Sequence, residues 1–301
     1  MTDKLRIEAP AKINLALHVT GQRDDGYHTL ETIAVFADIG DRITAQPADR
    51  DVFDITGPEA SALAGDDPNR NLVIRARNLL RSLLADAGTD APPVALTLEK
   101  DLPAGSGIGG GSADAAATLR VLAQLWDCRD ISETLVQQAA ALGADVPMCL
   151  YGRPLVASGI GETIEPVATM PAFAMVLVNP RRHVSTPAVF SKLSEKRNPP
   201  LPLDKIADLR DAPDWAAWLK AATRNDLQAP SVSLTPDIDS CLAALEDTGA
   251  LLSRMSGSGA TCFGLYGNTA QAEAAATQLL HRHPDWWIKS CMTGPSGGAP
   301  A

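Results

Sequence analysis

One stretch limits what this chain can fold into more than any other: Pro103-Ala-Gly-Ser-Gly-Ile-Gly-Gly-Gly-Ser112. Val94 to Leu98, just before it, reads as a strand of apolar and β-branched residues. Ala113 to Leu125, just after it, is Ala-rich and free of Gly and Pro, which predicts a helix with Ser112 as its N-cap. Gly105, Gly107, Gly109, Gly110 and Gly111 therefore stand between a strand and a strong helix. Without a Cβ, such a backbone turns with positive φ and comes close to a ligand. The unpaired N–H groups and the dipole of a helix start favour a phosphate there. A plain flexible connection is the alternative, but this density of glycine against a helix favours a phosphate loop.

Charge sharpens the point. The 301 residues carry a net charge of −10, so the overall field attracts neither nucleic acid nor an anionic membrane. Any polyanion must be held by a local device, and the expected partners are small molecules. Hydrophobic content of 45% supports a sizeable core, and 4% aromatics makes that core mostly Ala, Leu, Val and Ile. The cysteines Cys128, Cys149, Cys241, Cys262 and Cys291 lie far apart with no CxxC pair. They read as reduced thiols, not as a disulfide framework or zinc site. Neither they nor the histidines show metal-ligand spacing. The N-terminus has no signal-like apolar region, and no apolar run approaches the roughly 20 residues that span a bilayer. A cytoplasmic protein without membrane contact is expected; a monomer and a homodimer both remain open.

Several phosphate loops are excluded by residue type. A Walker A loop ends in Gly-Lys-Ser/Thr, and Gly111-Ser112-Ala113 has no lysine. Gly105-x-Gly107-x-x-Gly110 matches the dinucleotide pattern, but that fold needs a strand ending in an acid about 20 residues on. Here Asp130 and Glu133 have capping-box spacing for a second helix through Leu142, closed by Gly143. The His-Arg-Asp and Asp-Phe-Gly signatures of protein kinases are absent.

Elsewhere, Leu5 to Val19 suggests a strand or two interrupted by Pro10, leading into a loop at 21–26. Ile33 to Ile39 and Asp41 to Ala45 read as short strands, and Asn71 to Leu84 as an amphipathic helix. Met175 to Val178 reads as a buried strand, 194–215 as a Pro-rich surface excursion, and Ile238 to Leu245 as a helix. Leu251 to Tyr266 holds a second Gly/Ser turn between two apolar stretches. Several strands precede the first helix, which favours α+β over a doubly wound sheet. Two domains are expected, 1–155 and 156–293, with a soft boundary after Gly152-Arg-Pro154 and a disordered tail over 294–301.

The glycine stretch, continued through Ala113-Asp-Ala-Ala116, resembles the central phosphate motif of the GHMP small-molecule kinases. Two further motifs of that superfamily flank it in the expected order: Ala9-Pro-Ala-Lys12-Ile-Asn14-Leu before it and Met255-Ser-Gly-Ser-Gly-Ala260-Thr after it. Gly21-Gln-Arg-x-Asp-Gly-Tyr27-His28 and Gly143-Ala-Asp145-Val-Pro147 are similar to the branch that acts on 4-diphosphocytidyl-2-C-methyl-D-erythritol. The resemblance runs from about residue 8 to 266. It departs at Ala113, where a second serine is commoner, and at Ser106, where Ala or Gly is commoner.

What the resemblance implies is a two-domain fold with the cleft between the domains. The implied reaction is transfer of the γ-phosphoryl of ATP, with Mg²⁺ carried on the nucleotide, to the 2-hydroxyl of the erythritol moiety. Such a step belongs to the non-mevalonate isoprenoid route. Phosphoryl transfer asks mainly for positioning, charge stabilisation and a carboxylate for the hydroxyl proton. Asp145 is the implied base, expected just past a helix C-terminus, where the dipole would aid proton uptake. Lys12 would lie beside Asp145, and Asn14 would contact the transferred phosphate or substrate hydroxyls. Tyr27 offers a face for the cytosine and His28 a hydrogen bond to its edge, with a core tyrosine and a loop histidine as the alternatives. Phe190 would form the opposite wall or belong to the core, and Thr186 would touch the erythritol part.

For ATP, the implied residues are Asn71 and Leu72 at the adenine, Lys100, and the loop Pro103, Ala104, Gly105, Ser106, Gly107, Ile108, Gly109, Gly110, Gly111 and Ser112. Asn71 is equally a helix N-cap, and Lys100 either a nucleotide contact or simply exposed. Ser256, Gly257, Ser258 and Gly259 would bring a second turn against the substrate, or form a plain hairpin. Another GHMP acceptor (homoserine, mevalonate or a sugar) and a ligand sensor without turnover are the competing readings. The Tyr27-His28 pair argues against the first, and the retained Lys12 and Asp145 against the second.

Overall fold

The computed structural model describes residues 4–65, 67–128, 133–167 and 169–294. The chain opens with two long antiparallel strands, β1 (Leu5–Gln22) and β2 (His28–Pro47). Pro10 does not interrupt β1; the ladder takes it up in a register shift between Pro10 and Lys12, where a missing N–H donor is tolerated. The two short strands expected within 33–45 are likewise parts of one strand, β2. There follow β3 (Val52–Thr56), α1 (Leu72–Asp86), β4 (Val94–Glu99), α2 (Gly110–Leu125), α3 (Glu133–Ala139), α4 (Val146–Tyr151), β5 (Leu155–Gly159) and β6 (Thr163–Pro166).

Along its second edge, β2 pairs with β4 over residues 42–47 and with β5 over 30–34. β3 extends the sheet in parallel beyond β4, and β6 extends it antiparallel beyond β5. This sheet therefore continues to Pro166, past the boundary expected at 155/156. The cause is local: Gly152, at φ +65°, ends α4 and turns the chain back into the sheet instead of out of the domain. Asp130 lies outside the described residues, so the capping expected of it is not described. Helix α3 stops at Ala139, short of Leu142, and tight three-residue turns carry the chain on to Leu142. Gly143 does not take the left-handed conformation expected of a C′ glycine.

The second half contains β7 (Ala174–Asn179), α5 (Thr186–Ser191), α6 (Ala212–Ala222), α7 (Gln228–Leu234), α8 (Asp237–Asp247), β8 (Leu252–Met255), β9 (Cys262–Tyr266), α9 (Thr269–Arg282) and β10 (Trp287–Met292). Its sheet has the order β10-β7-β9-β8, antiparallel throughout. With one parallel pair among the described strands, the α+β expectation agrees with the architecture. The 194–215 stretch is not a simple surface excursion. Leu201 and Trp215 are buried in the core, and Pro213 lies in the first turn of α6, where proline starts a helix instead of ending it. The disordered tail expected over 294–301 lies, beyond Gly294, outside the described residues. No helix among the described residues is long and apolar enough to cross a membrane.

Strand periodicity positions the site. Ala11, Ile13 and Leu15 of β1 are fully buried in one cluster with Phe173, Met175, Trp215 and Phe263, which joins the two sheets. Their neighbours Lys12 and Asn14 carry their side chains to the other face of the pleat, toward the glycine loop and Thr32.

Candidate active site

The glycine loop is shaped by its neighbours. Gly105 and Gly107 stand at φ +59° and +78°, and Gly109, at φ +67°, is the N-cap of α2. The helix thus begins at Gly110, earlier than expected, and Ser112 sits in its first turn instead of capping it. The N–H groups of Gly110, Gly111 and Ser112 have no acceptor inside the helix. A Cβ on Gly107 would fall 2.6 Å from the Ser256 carbonyl and 2.7 Å from that of Gly259. Only glycine lets the two Gly/Ser turns, one from each half of the chain, meet here. Ser256 Oγ fastens them: it donates to the Gly107 carbonyl at 3.0 Å and accepts from the Asn14 N–H at 3.1 Å. Asn225 holds the second turn from behind through the carbonyls of Met255 and Gly257. The segment is the turn of the antiparallel β8–β9 hairpin, as the alternative had it, and it also packs against the glycine loop.

Lys12 and Asp145 meet beside this loop. Lys12 Nζ lies 2.7 Å from Asp145 Oδ2. The Lys12 N–H donates to the Ile108 carbonyl at 2.9 Å, and its Cβ would be 3.1 Å from a Cβ on Gly109. The setting of Asp145 differs from the expectation. It precedes α4 as its N-cap residue, without a side-chain cap bond, so the nearest helix end is an N-terminus and the dipole argument for proton uptake reverses. Pro147 in the first turn of α4 explains why that helix starts where it does.

Asn14 has a definite orientation. Thr32 Oγ1 spends its one proton on the Ala16 carbonyl at 2.7 Å, so it can only accept from Asn14 Nδ2, also at 2.7 Å. Asn14 Oδ1 is left buried without a partner. An orphaned acceptor of this kind suits a donor supplied by a ligand.

A cavity of about 340 Å³ opens beside the loop, lined by Asn71, Leu72, Lys100, Pro103, Ala104, Gly105 and Gly111 together with Leu63, Asp67, Arg70 and Asp114. Asn71 takes the N-cap role and also borders the cavity. Its Oδ1 caps α1 by accepting from the Val73 N–H at 2.9 Å, while the residue lines the cavity. Lys100 corrects the alternative of an exposed lysine. It is buried, its ammonium donates to Asp41 and, at 3.1 Å, to Asp114, and a Cβ on Gly110 would sit 3.1 Å from Nζ. Burial pushes Lys100 down, but the two carboxylates outweigh it and raise its pKa. Burial, reinforced by Asp41 and opposed by Lys100, pushes the Asp114 carboxyl up to about 8. The triad underlies the first turn of α2. Ser106 is buried, with its hydroxyl unpartnered and its carbonyl accepting from Thr261.

Tyr27, in the turn between β1 and β2, is 64% exposed, which removes the core alternative. His28 stacks directly on Phe190, with ring centroids 4.8 Å apart and an interplanar angle of 23°. Phe190 thus packs on His28 itself. Burial, then the charge of Lys196, holds the His28 pKa below its ordinary value, and Nε2 has no partner. Thr186, at the start of α5, shares a hydrogen bond of 2.7 Å with Ser258 of the second turn.

Sequence reasoning missed Asp41, Asp114, Thr32, Asn225 and Leu63. For Asp114 a signal existed: a lone acid within an Ala-rich helix face. The others depend on contacts across long sequence separations.

Comparison with known proteins adds to this geometry. Residues 71–153 match the GHMP kinases N terminal domain, and 205–285 match GHMP kinases C terminal. The chain is 53% identical over 291 residues to the 4-diphosphocytidyl-2-C-methyl-D-erythritol kinase of Rhizobium etli strain CIAT 652, covering 97% of this chain and 95% of that protein. It is 51% identical over 294 residues to the Rhizobium meliloti strain 1021 enzyme of the same name, covering 98% and 97%. A crystal structure of 4-(cytidine 5'-diphospho)-2C-methyl-D-erythritol kinase superposes with a TM-score of 0.77 at 32% identity, covering 96% of this chain and all of that one. Homoserine kinase from Cytophaga hutchinsonii superposes with a TM-score of 0.69 at 18% identity, over 98% and 96% of the two chains, and shows the shared fold.

Proposed function

The chain belongs to the 4-diphosphocytidyl-2-C-methyl-D-erythritol kinases of the GHMP superfamily, and from that premise we infer how its own residues carry the reaction. The enzyme phosphorylates 4-diphosphocytidyl-2-C-methyl-D-erythritol in the methylerythritol phosphate route to isoprenoid precursors. ATP is the phosphoryl donor.

In our reading the adenosine occupies the cavity walled by Leu63, Asn71 and Leu72, and the polyphosphate runs along the glycine loop. The free N–H groups of Gly110, Gly111 and Ser112 receive its oxygens. The 2-hydroxyl of the erythritol moiety gives its proton to the Asp145 carboxylate. Its oxygen bonds to the γ-phosphorus, and the bond from that phosphorus to the ADP oxygen breaks. Lys12 holds Asp145 in place and offsets the charge that develops on the transferring oxygens. Asn14 Oδ1 accepts from a substrate hydroxyl. Tyr27 stacks on the cytosine, a contact worth about 1–3 kcal/mol, and neutral His28 bonds its edge.

Among the described residues no group of three His, Cys, Asp or Glu side chains gathers to hold a metal. The donor set fits a Mg²⁺ that travels on ATP, and the Ser112 hydroxyl in the first turn of α2 would help to hold it. When bound, such an ion neutralises charge on the phosphate oxygens. Dependence on ATP supports a cytoplasmic setting for the reaction.

The observation that carries this reading is the 2.7 Å Lys12–Asp145 pair set against the glycine loop. Asp145→Asn tests it. Turnover should fall on the order of 1,000-fold while ATP binding is kept; unchanged turnover would remove Asp145 from the chemistry.

A further inference from the structure

The segment that follows β7 reaches back over the glycine loop from the other half of the molecule. Asn179, buried at the end of β7, anchors it: Oδ1 accepts from the Arg181 N–H at 2.7 Å, and Nδ2 donates to Thr261 Oγ1 at 2.9 Å. Arg181 stands at φ +57°, a conformation sparsely used by residues other than glycine. In it the guanidinium donates to Glu59 at 2.8 Å. Glu59 is 6% exposed, and its N–H is fixed to the Lys100 carbonyl at 3.0 Å. It precedes the short 3₁₀ turn Ala60–Leu63, which brings Leu63 to the cavity wall. Two residues on, His183 Nδ1 lies 3.0 Å from where a Cβ on Gly105 would be. A three-residue strap thus meets two segments that supply cavity residues, the glycine loop at Gly105 and the Glu59 turn that carries Leu63.

We propose that Arg181 and His183 are positioning residues for ATP. They hold the Glu59 turn and Gly105 at the spacing that admits the polyphosphate, and Arg181 neutralises the buried Glu59 carboxylate, which directly precedes the turn that carries Leu63 to the cavity wall. This rests on the assignment of the cavity to ATP. Two physical arguments support it. A strained backbone beside a ligand site persists only where its surroundings over-determine it. An unpaired buried carboxylate also repels a polyanion far more strongly than a solvated one. Neither Arg181 nor His183 needs to touch the reacting atoms.

The test measures binding of a non-hydrolysable ATP analogue by calorimetry, with steady-state kinetics alongside. Arg181→Gly is the informative variant, because glycine takes the same φ without strain and removes only the side chain. It should weaken analogue binding about 5- to 10-fold, leave kcat and the acceptor KM within about 2-fold, and be partly rescued by Arg181→Lys. Arg181→Gly combined with Glu59→Gln should recover most of the loss, since the repelling charge is gone. His183→Ala should weaken binding about 3-fold through the loop alone. Unchanged analogue affinity in Arg181→Gly, or a double variant no better than the single one, would overturn the proposal. Wild-type protein that fails to bind the analogue would instead overturn the ATP assignment of the cavity, a separate result.

Discussion

Lys12 Nζ sits 2.7 Å from Asp145 Oδ2, and the two ends of this pair differ in exposure: the lysine side chain is 3% accessible and the aspartate 38%. The cation is thus a fixed element of the protein interior, held through its own N–H on Ile108, while the carboxylate faces the cleft. In Lys12→Met, kcat should fall about 100- to 1,000-fold, with the KM for ATP changed little. Steady-state kinetics at saturating acceptor checks this. A loss confined to KM would make Lys12 a binding residue only.

His28 gives a pH dependence with a definite sign. Burial first, then the charge of Lys196, lowers its pKa from the usual 6.5, so the ring is neutral at pH 7. The acceptor KM should be flat from about pH 8 to 6.5 and rise as pH falls further and the ring takes a proton. Stability follows the same direction: the unfolded chain binds the proton more readily, so this contribution is full above pH 6.5 and is lost as pH falls. His28→Gln should flatten the acid limb of the KM profile.

The Asp41–Lys100–Asp114 triad predicts an asymmetry between two substitutions. Lys100→Met leaves the buried Asp41 carboxylate without its cation, beside an Asp114 carboxyl already pushed up to about 8, and should cost about 3–5 kcal/mol, by analogy with broken buried pairs. Asp114→Asn keeps a hydrogen-bond acceptor for Lys100, leaves Asp41 to balance the charge, and should cost less. Urea denaturation measures both. Equal costs would show that charge is not what the triad contributes.

How far the chain could be read from its sequence follows the range of the interactions involved. The glycine loop, α1 with its Asn71 cap, and β4 depend on near neighbours and stood where their residue types placed them. Helix α2 began at Gly110 instead of Ala113 because left-handed Gly109, not Ser112, caps it. Helix α4 went unread because Val146-Pro147 looks like an ending, yet Pro147 in a first turn begins a helix. That misreading also gave Asp145 the wrong helix end. Trp215 lies in a stretch whose prolines and charges read as surface, yet it is fully buried. Its burial depends on Phe173 and on the packing of α6 against β8, which no local pattern around residue 215 reveals. Asp41 and Lys100, like His28 and Phe190, pair only once the sheets and helices have assembled.

The central claim is that the acceptor is read through its cytidine. ADP release should be followed with ATP, Mg²⁺ and 4-diphosphocytidyl-2-C-methyl-D-erythritol, beside 2-C-methyl-D-erythritol 4-phosphate, homoserine and mevalonate. The account predicts turnover confined to the cytidylated acceptor, with Tyr27→Ala raising its KM about 10-fold or more. Comparable turnover of the acceptor lacking cytidine, or an unchanged KM in Tyr27→Ala, would contradict it.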